Sequence, residues 1–316
     1  MPKYILKRCI IAVFTLLVLI TIIFFLVRLL PGDPFNDPKV TDEVRARLEA
    51  YYGMDKPLIQ QYFAYLGNLL KGDFGVSLIY TGRSVNSTIA QTFPYSADLG
   101  LRALGLALVV GLILGTLAAQ KAGRVIDYVC VLVAIIGVSM PDFIIGALLK
   151  LIFAIKLRVL PAGLWNGFSY TILPVVALSF YTLALITRLM RSSMLEVIHQ
   201  DYILTAKAKG LSNFQVIWRH QIRNSILPIV TVMGPLVAAV LTGTFVIESM
   251  YAIPGMGKFY VESVHDLDYT MVLGMTAFYG IFLVSANLVV DILYGIVDPR
   301  IKLAESKQKA DDGEEG

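Results

Sequence analysis

The sequence predicts an all-α integral membrane protein with six transmembrane helices, and three observations lead there. Hydrophobic residues make up 57% of the 316 and charged residues only 16%, with mean hydropathy at +0.71, far on the apolar side of soluble domains. A run of 19 residues from Cys9 to Val27 carries no charge, enough for a helix to cross a hydrocarbon core of about 30 Å. Five further apolar runs follow, and basic residues gather in alternate connections between them. The net charge of +4 is too small to point to nucleic acid. Cys9 and Cys130 stand far apart in apolar runs, which excludes a disulfide framework.

Taken in order, residues 1–8 are a basic leader with Lys3, Lys7 and Arg8. Residues 9–30 are the first helix, expected to stay as an uncleaved anchor because Leu-Leu-Pro-Gly-Asp-Pro follows it instead of a small-residue cleavage site. Residues 31–93 form an extracytoplasmic helical region. In it Thr41 or Asp42 caps a short helix ending at Gly53, and Pro57 opens a second helix. Leu58, Tyr62, Leu66 and Leu69 or Leu70 give that second helix one apolar stripe, expected to lie against the membrane surface or on the bundle. Residues 94–299 are a five-helix core with spans at 97–119, 128–155, 171–189, 226–247 and 272–297. Gly111 and Gly115, with Ala107 and Ala119, put small residues every fourth position, which allows close helix approach. Pro141 is expected to kink the third span. Residues 300–316 are a tail, expected to be disordered after Ala304 because it is charged and poor in apolar residues.

Orientation follows from the basic residues. Lys121, Arg124, Arg188, Arg191, Lys207, Lys209, Arg219, Arg223, Arg300 and Lys302 fall on the side of the N-terminus, against Lys156, Arg158 and Lys258 in the short loops opposite. This asymmetry predicts both termini in the cytoplasm.

No catalytic constellation emerges. His199, His220 and His265 lack an HExxH-type partner, no GxSxG occurs, and Gly257-Lys258 lacks the upstream glycine of a phosphate-binding loop. No metal site is expected. Asp291 is the one carboxylate weighed inside a span; it lies four residues after Asn287, so the two share a helix face. The informative segment is the loop 190–225. Asp201 reads as an N-cap, Tyr202 to Lys209 as two helical turns, and Gly210 as a left-handed C-terminal cap with Lys207 and Lys209 complementing the helix dipole. Ser212-Asn213-Phe214-Gln215 then reads as a capping box that starts a second helix toward Trp218, Ile222 and Pro228. A small rigid elbow results.

The run Asp201-Tyr202-Ile203-Leu204-Thr205-Ala206-Lys207-Ala208-Lys209-Gly210-Leu211-Ser212, followed by Arg219-His220-Gln221-Ile222-Arg223-Asn224, resembles the signature loop of permease subunits of ATP-binding-cassette importers for peptides. Leu30-Pro31-Gly32-Asp33-Pro34, Gly53-Met54-Asp55-Lys56-Pro57, Gly72-Asp73-Phe74-Gly75, Arg191-Ser192-Ser193-Met194, Ile253-Pro254-Gly255-Met256-Gly257, Asp268-Tyr269 and Asp298-Pro299-Arg300 match in the same order along nearly the whole chain. The region of Leu160-Pro161-Ala162-Gly163 and Trp165-Asn166-Gly167 is more similar to the oligopeptide B subunit than to the dipeptide one. The wider superfamily has Glu-Ala-Ala, three residues, then Gly; here Leu204, Thr205 and Ala206 fill the first places, so the acidic residue is missing.

The resemblance implies the fold of an ABC importer permease with a coupling helix between spans 4 and 5, in the cytoplasmic membrane, as a non-catalytic half of a translocation pathway for oligopeptides. Dipeptides, nickel chelates or glutathione are the alternative cargoes. A homologous second permease, two ATPase subunits that bind ATP and Mg, and an extracytoplasmic peptide-binding protein are the implied partners, with no cofactor in this chain. ATPase coupling would fall to Asp201, Tyr202, Thr205, Ala206, Lys207, Ala208, Lys209, Gly210, Leu211 and Ser212. Peptide backbones need hydrogen-bonding capacity along their path, and the candidates to line it are Ser139, Thr182, Thr242, Thr244, Glu248, Asn287 and Asp291. A membrane-embedded enzyme and an ion-coupled carrier are the rival classes; the first needs convergent titratable residues and the second paired broken helices.

Overall fold

The computed structural model describes residues 2–29, 50, 53–80, 82–242 and 245–297. In chain order its helices are α1 (Pro2–Arg28), α2 (Leu58–Leu70), α3 (Val85–Gln120), α4 (Val125–Ser139), α5 (Asp142–Leu149, continued as a π-helix over Lys150–Lys156), α6 (Phe168–Ile198), α7 (Asp201–Ala208), α8 (Leu227–Thr242), α9 (Phe245–Met250), α10 (Met256–His265) and α11 (Tyr269–Val297). Between α7 and α8 a helical run passes through Asn213–Gln215, the π-wound Val216–Ile222 and Arg223–Ser225. Four helices, α1, α3, α6 and α11, are long and apolar enough to cross a membrane; α4 and α5, bent by 109° at their junction, make a fifth if the pair is one span. The protein is therefore an all-α, multi-pass membrane protein. The predicted fifth span is described in two pieces, α8 of 16 residues and α9 of six, on either side of positions 243 and 244, which lie outside the described residues.

Helix α3 begins earlier than expected, so the predicted boundary between residues 93 and 94 falls inside it. Ser84 supplies the cap, its extended backbone letting Oγ accept the Ser87 N–H, as N-cap serines do. The predicted helix ending at Gly53 and the tail from residue 298 lie outside the described residues.

The centre of the bundle is the α3–α6 contact. A Cβ on Gly115 would sit 2.6 Å from Met190 Cβ and 2.7 Å from the Thr187 carbonyl oxygen, and one on Gly111 would sit 2.9 Å from Ile186 Cγ2. Only glycine allows this approach. Gly137 does the same for α4, where a Cβ would lie 2.8 Å from both Phe180 O and Ala184 Cβ. The small-residue spacing of the second span thus serves packing within the chain.

At one end of the bundle α2 lies on α1 and α11. Tyr62 is buried beside Phe24 and Val27, and its hydroxyl is 2.7 Å from Thr21 Oγ1. Leu66 of the predicted stripe packs on the same cluster and Leu69 is partly buried, while Leu58 and Leu70 at the ends of the helix are exposed. Asp268, fully buried, caps α11 by accepting the Met271 N–H at 3.1 Å, and it binds the loop after α2 through Leu78 N–H and Ser77 Oγ. Nearby the Tyr80 hydroxyl donates to Asp266 at 2.8 Å, and that bond holds the phenol above its usual pKa. The segment between α9 and α10 is clamped here too. The Tyr251 hydroxyl donates to Gly146 O, Leu164 N–H to Tyr251 O, and Met256 N–H to Ser96 Oγ.

Candidate functional site

Pro141 has no N–H to continue α4 and pushes the residue before it out of the helical region. Met140 is accordingly extended at φ −100°, ψ 128°, and the chain turns through 109° before α5 starts. The turn is too sharp for the kink that the sequence suggests. It opens a cavity of about 360 Å³ between the α4–α5 break, α6 and α8, with Ser139, Asp142, Tyr181 and Thr182 as its polar wall and Leu178 and Leu236 among the apolar residues. The 15 residues of α4 rise about 22 Å. Counted from the end that carries Lys121 and Arg124, the break therefore lies past the middle of a hydrocarbon core of about 30 Å.

Asp142 is the side chain that sequence reasoning missed. It is partly exposed, accepts only the neighbouring Phe143 N–H at 2.8 Å, and pairs with no basic side chain among the described residues. A charge at helix-centre depth costs about 2.5–3.5 kcal/mol on insertion scales and less toward the interface, and in the first turn of α5 the carboxylate complements that helix's dipole. The signal was available: a carboxylate directly after the proline that breaks an apolar run. If α4 and α5 form one span, Asp142 is a second carboxylate inside a span, in addition to Asp291.

Of the seven residues expected along a pathway, Ser139 and Thr182 meet at this cavity. Glu248 does not. It is fully buried, its carboxylate accepts the Gly257 N–H at 2.9 Å and presses against Gly255, so it is occupied in holding the α9–α10 turn. Gly255 and Gly257 are glycines because a Cβ at either place would strike the Glu248 carboxylate or Phe245. Asn287, on α11, keeps an enclosed Oδ1 that has no hydrogen-bond partner among the described residues. Thr244 and the side chains of Thr242 and Asp291 lie outside the described residues. A second cavity, about 410 Å³, sits under α2 beside Arg28 and Tyr65.

At the end of the bundle that carries Lys121 and Arg124, α7 forms the elbow. Gln200, in extended conformation, takes the N-cap place, so Asp201 is the first helical residue and not the cap. The helix starts one residue early because the Ile203 N–H already bonds Gln200 O. Asp201 still lies in the first turn, where a carboxylate favours the helix dipole. Gly210 has φ +80° with open space around it, and Gly210 N–H and Leu211 N–H return to Lys207 O and Ala206 O. The Ser212 capping box is complete, with Oγ accepting Gln215 N–H and Gln215 Oε1 accepting Ser212 N–H.

The elbow is a small packed unit. Ile203, Ala206 and Val216 are buried against Val197 and Leu211, while Tyr202, Leu204, Phe214 and Trp218 are exposed. Gln221, nearly fully buried, accepts a 2.6 Å bond from Gln120 Nε2 at the end of α3. Beside it Arg191 of α6 makes a two-bond pair with Asp127 of α4, at 2.6 and 2.8 Å, and Asp127 also accepts the Gly123 N–H. Among the described residues no group of three or more His, Cys, Asp or Glu is arranged to hold a metal ion.

Residues 111–303 match the model of the binding-protein-dependent transport system inner membrane component, and residues 1–100 match its membrane component N-terminal model. The chain is 46% identical over 304 residues to the dipeptide transport system permease protein DppB of Bacillus subtilis (96% of this chain, 99% of that one). It is 47% identical over 305 residues to the oligopeptide transport system permease protein OppB of Haemophilus influenzae (96% and 100%), and 44% identical over 305 residues to OppB of Escherichia coli (96% and 100%). Dipeptide and oligopeptide relatives are equally similar. Among solved structures, an amino acid ABC transporter chain superposes with TM-score 0.53 at 12% identity, covering 67% of this chain and 95% of that one. The MetNI methionine transporter does so with 0.52 at 14%, covering 66% and 96%. These two likenesses concern the fold alone.

Proposed function

Because the chain belongs to the family of binding-protein-dependent transport system inner membrane components, we propose that it is the membrane-spanning half of an ATP-driven peptide importer, with oligopeptides as the cargo favoured by its 160–167 region. The observation that carries the reading is the packed elbow with an exposed face, Tyr202 and Leu204, placed where α6 ends. A small, rigidly packed elbow with exposed apolar side chains suits docking to a partner on that side of the membrane.

In this reading the chain crosses the membrane six times, α8 with α9 supplying the fifth crossing, and both termini face the cytoplasm. Domain limits follow the expectation, with residues 31–93 outside: the 36 residues of α3 rise about 54 Å, more than a hydrocarbon core of about 30 Å needs, so its first turns project beyond the core. Residues 201–212 dock into an ATPase subunit; a homologous permease completes the path, and a binding protein delivers peptide from outside. ATP holds the paired ATPases together and draws the two elbows toward each other. The Gly210 turn and the Gln120–Gln221 bond carry that displacement into α3 and α8 as a rigid-body motion, the usual form of such transitions. The pathway wall in this chain is the α4–α5 break with Ser139 and Thr182; Thr242, Thr244, Asn287 and Asp291 remain assigned to it by sequence.

The test is reconstitution. Purified alone, the chain should neither hydrolyse ATP nor move peptide. With the partner permease and ATPases in proteoliposomes, peptide should enter when ATP is on the ATPase side and the binding protein is opposite. Uptake by the chain alone, driven by an imposed pH gradient and lost in Asp291→Asn, would replace the importer with an ion-coupled carrier.

A further inference from the structure

The cavity at the broken span has an asymmetric chemistry that a path for neutral backbone groups does not need. Hydroxyls of Ser139, Tyr181 and Thr182 line it together with one carboxylate, Asp142, and no cation. Ser139 and Tyr181 are exposed and Asp142 is partly exposed, so a ligand reaches all three. Asp142 is held at the bend by Pro141, and among the described residues only the Phe143 N–H bonds it.

Building on the pathway reading of this cavity, we infer that it is a binding subsite for the free α-ammonium group of a peptide, with Asp142 as counter-charge and the neighbouring hydroxyls as further acceptors. The chemistry matches in three ways. An ammonium has three donors and no acceptor, an ionised carboxylate offers acceptors alone, and the hydroxyls beside it rotate to accept as well. The bond is charge-assisted, which makes it one of the stronger single contacts available to a cargo of varying sequence. The α-ammonium is also common to peptides of every sequence, so one fixed carboxylate serves them all without a side-chain pocket.

The experiment uses the complete complex with its second permease and ATPases, carrying Val138→Cys as reporter, since Val138 lines the cavity, is exposed and contributes no acceptor to the subsite. The rate at which a soluble thiol reagent modifies the introduced thiol is read by mass at that position. Trialanine at millimolar concentration is expected to slow modification, and Nα-acetyl-trialanine to need about tenfold more for the same protection, the factor expected from one charge-assisted hydrogen bond. Asp142→Asn should erase that difference, and Asp142→Glu should keep it, which separates loss of charge from loss of fold. Equal protection by both peptides in the otherwise unaltered complex would overturn the subsite while leaving the pathway in place. So would a preference that survives Asp142→Asn; Asp142 would then serve as an ion-pair partner for the second permease. Protection by neither peptide would overturn the pathway reading of the cavity as well.

Discussion

Arg191 counts, in the sequence, as one more positive charge near a helix end. In the fold it is spent on Asp127, 64 positions earlier, and Asp127 is only 3% exposed. The pair joins α4 to α6 beside the root of the elbow, so it resists any motion that would slide one helix along the other. Removing Arg191 leaves the enclosed Asp127 carboxylate with only the Gly123 N–H, which costs about 1–3 kcal/mol, whereas removing Asp127 leaves Arg191 partly open to solvent and costs less. Asp127→Ala or Arg191→Ala should therefore lower the melting temperature of the purified complex and its peptide uptake together. The exchanged pair, Asp127→Arg with Arg191→Asp, should recover part of both. No recovery in a stable exchanged variant would mean that the individual positions matter, not the bond between them.

At the scale of the element, α7 shows how much a single backbone conformation can decide. Gly210 sits in open space, so a side chain there meets nothing; the obstacle is its φ of +80°, where a β-branched residue is strained by about 1 kcal/mol or more. Gly210→Val should keep the protein inserted and assembled but shift α7 relative to the Ser212 capping box. Peptide uptake and substrate-stimulated ATP hydrolysis should then fall in parallel, measured in proteoliposomes against the unaltered complex. Normal uptake would show that α7 tolerates misplacement and does not transmit force. The same reasoning explains why α7 need not be strongly amphipathic: Ile203 and Ala206 suffice to hold it.

For the whole molecule the question is which end of the bundle faces inward. Lys209 belongs to the elbow end, near Lys121 and Arg124, and Lys258 to α10 at the opposite end. With excess basic charge on the cytoplasmic side, Lys258→Cys in intact cells should react with a membrane-impermeant thiol reagent and Lys209→Cys should not, until the membrane is opened. Reversed labelling would invert the proposed orientation of every connection and place the elbow where no ATPase can reach it.

Run length and composition alone mark the protein as a membrane helix bundle, because a helix that must cross lipid needs about twenty apolar residues whatever it packs against. The turn at Gly210 and the capping box at Ser212 were legible for a similar reason: they are closed by hydrogen bonds between residues three to five positions apart, so the determinants are local. The reading failed where the determinant was remote. Pro141 announces a break, but its 109° angle and the cavity it opens depend on α6 and α8. Glu248 looked like a polar group for a pathway, and only the approach of Gly255 and Gly257 turns its carboxylate inward. Asp127 and Arg191, or Gln120 and Gln221, meet across intervals of 64 and 101 residues. In an apolar helix no periodicity distinguishes the face that meets a neighbour from the face that meets lipid, and so the partners of each polar side chain were decided by how the helices pack.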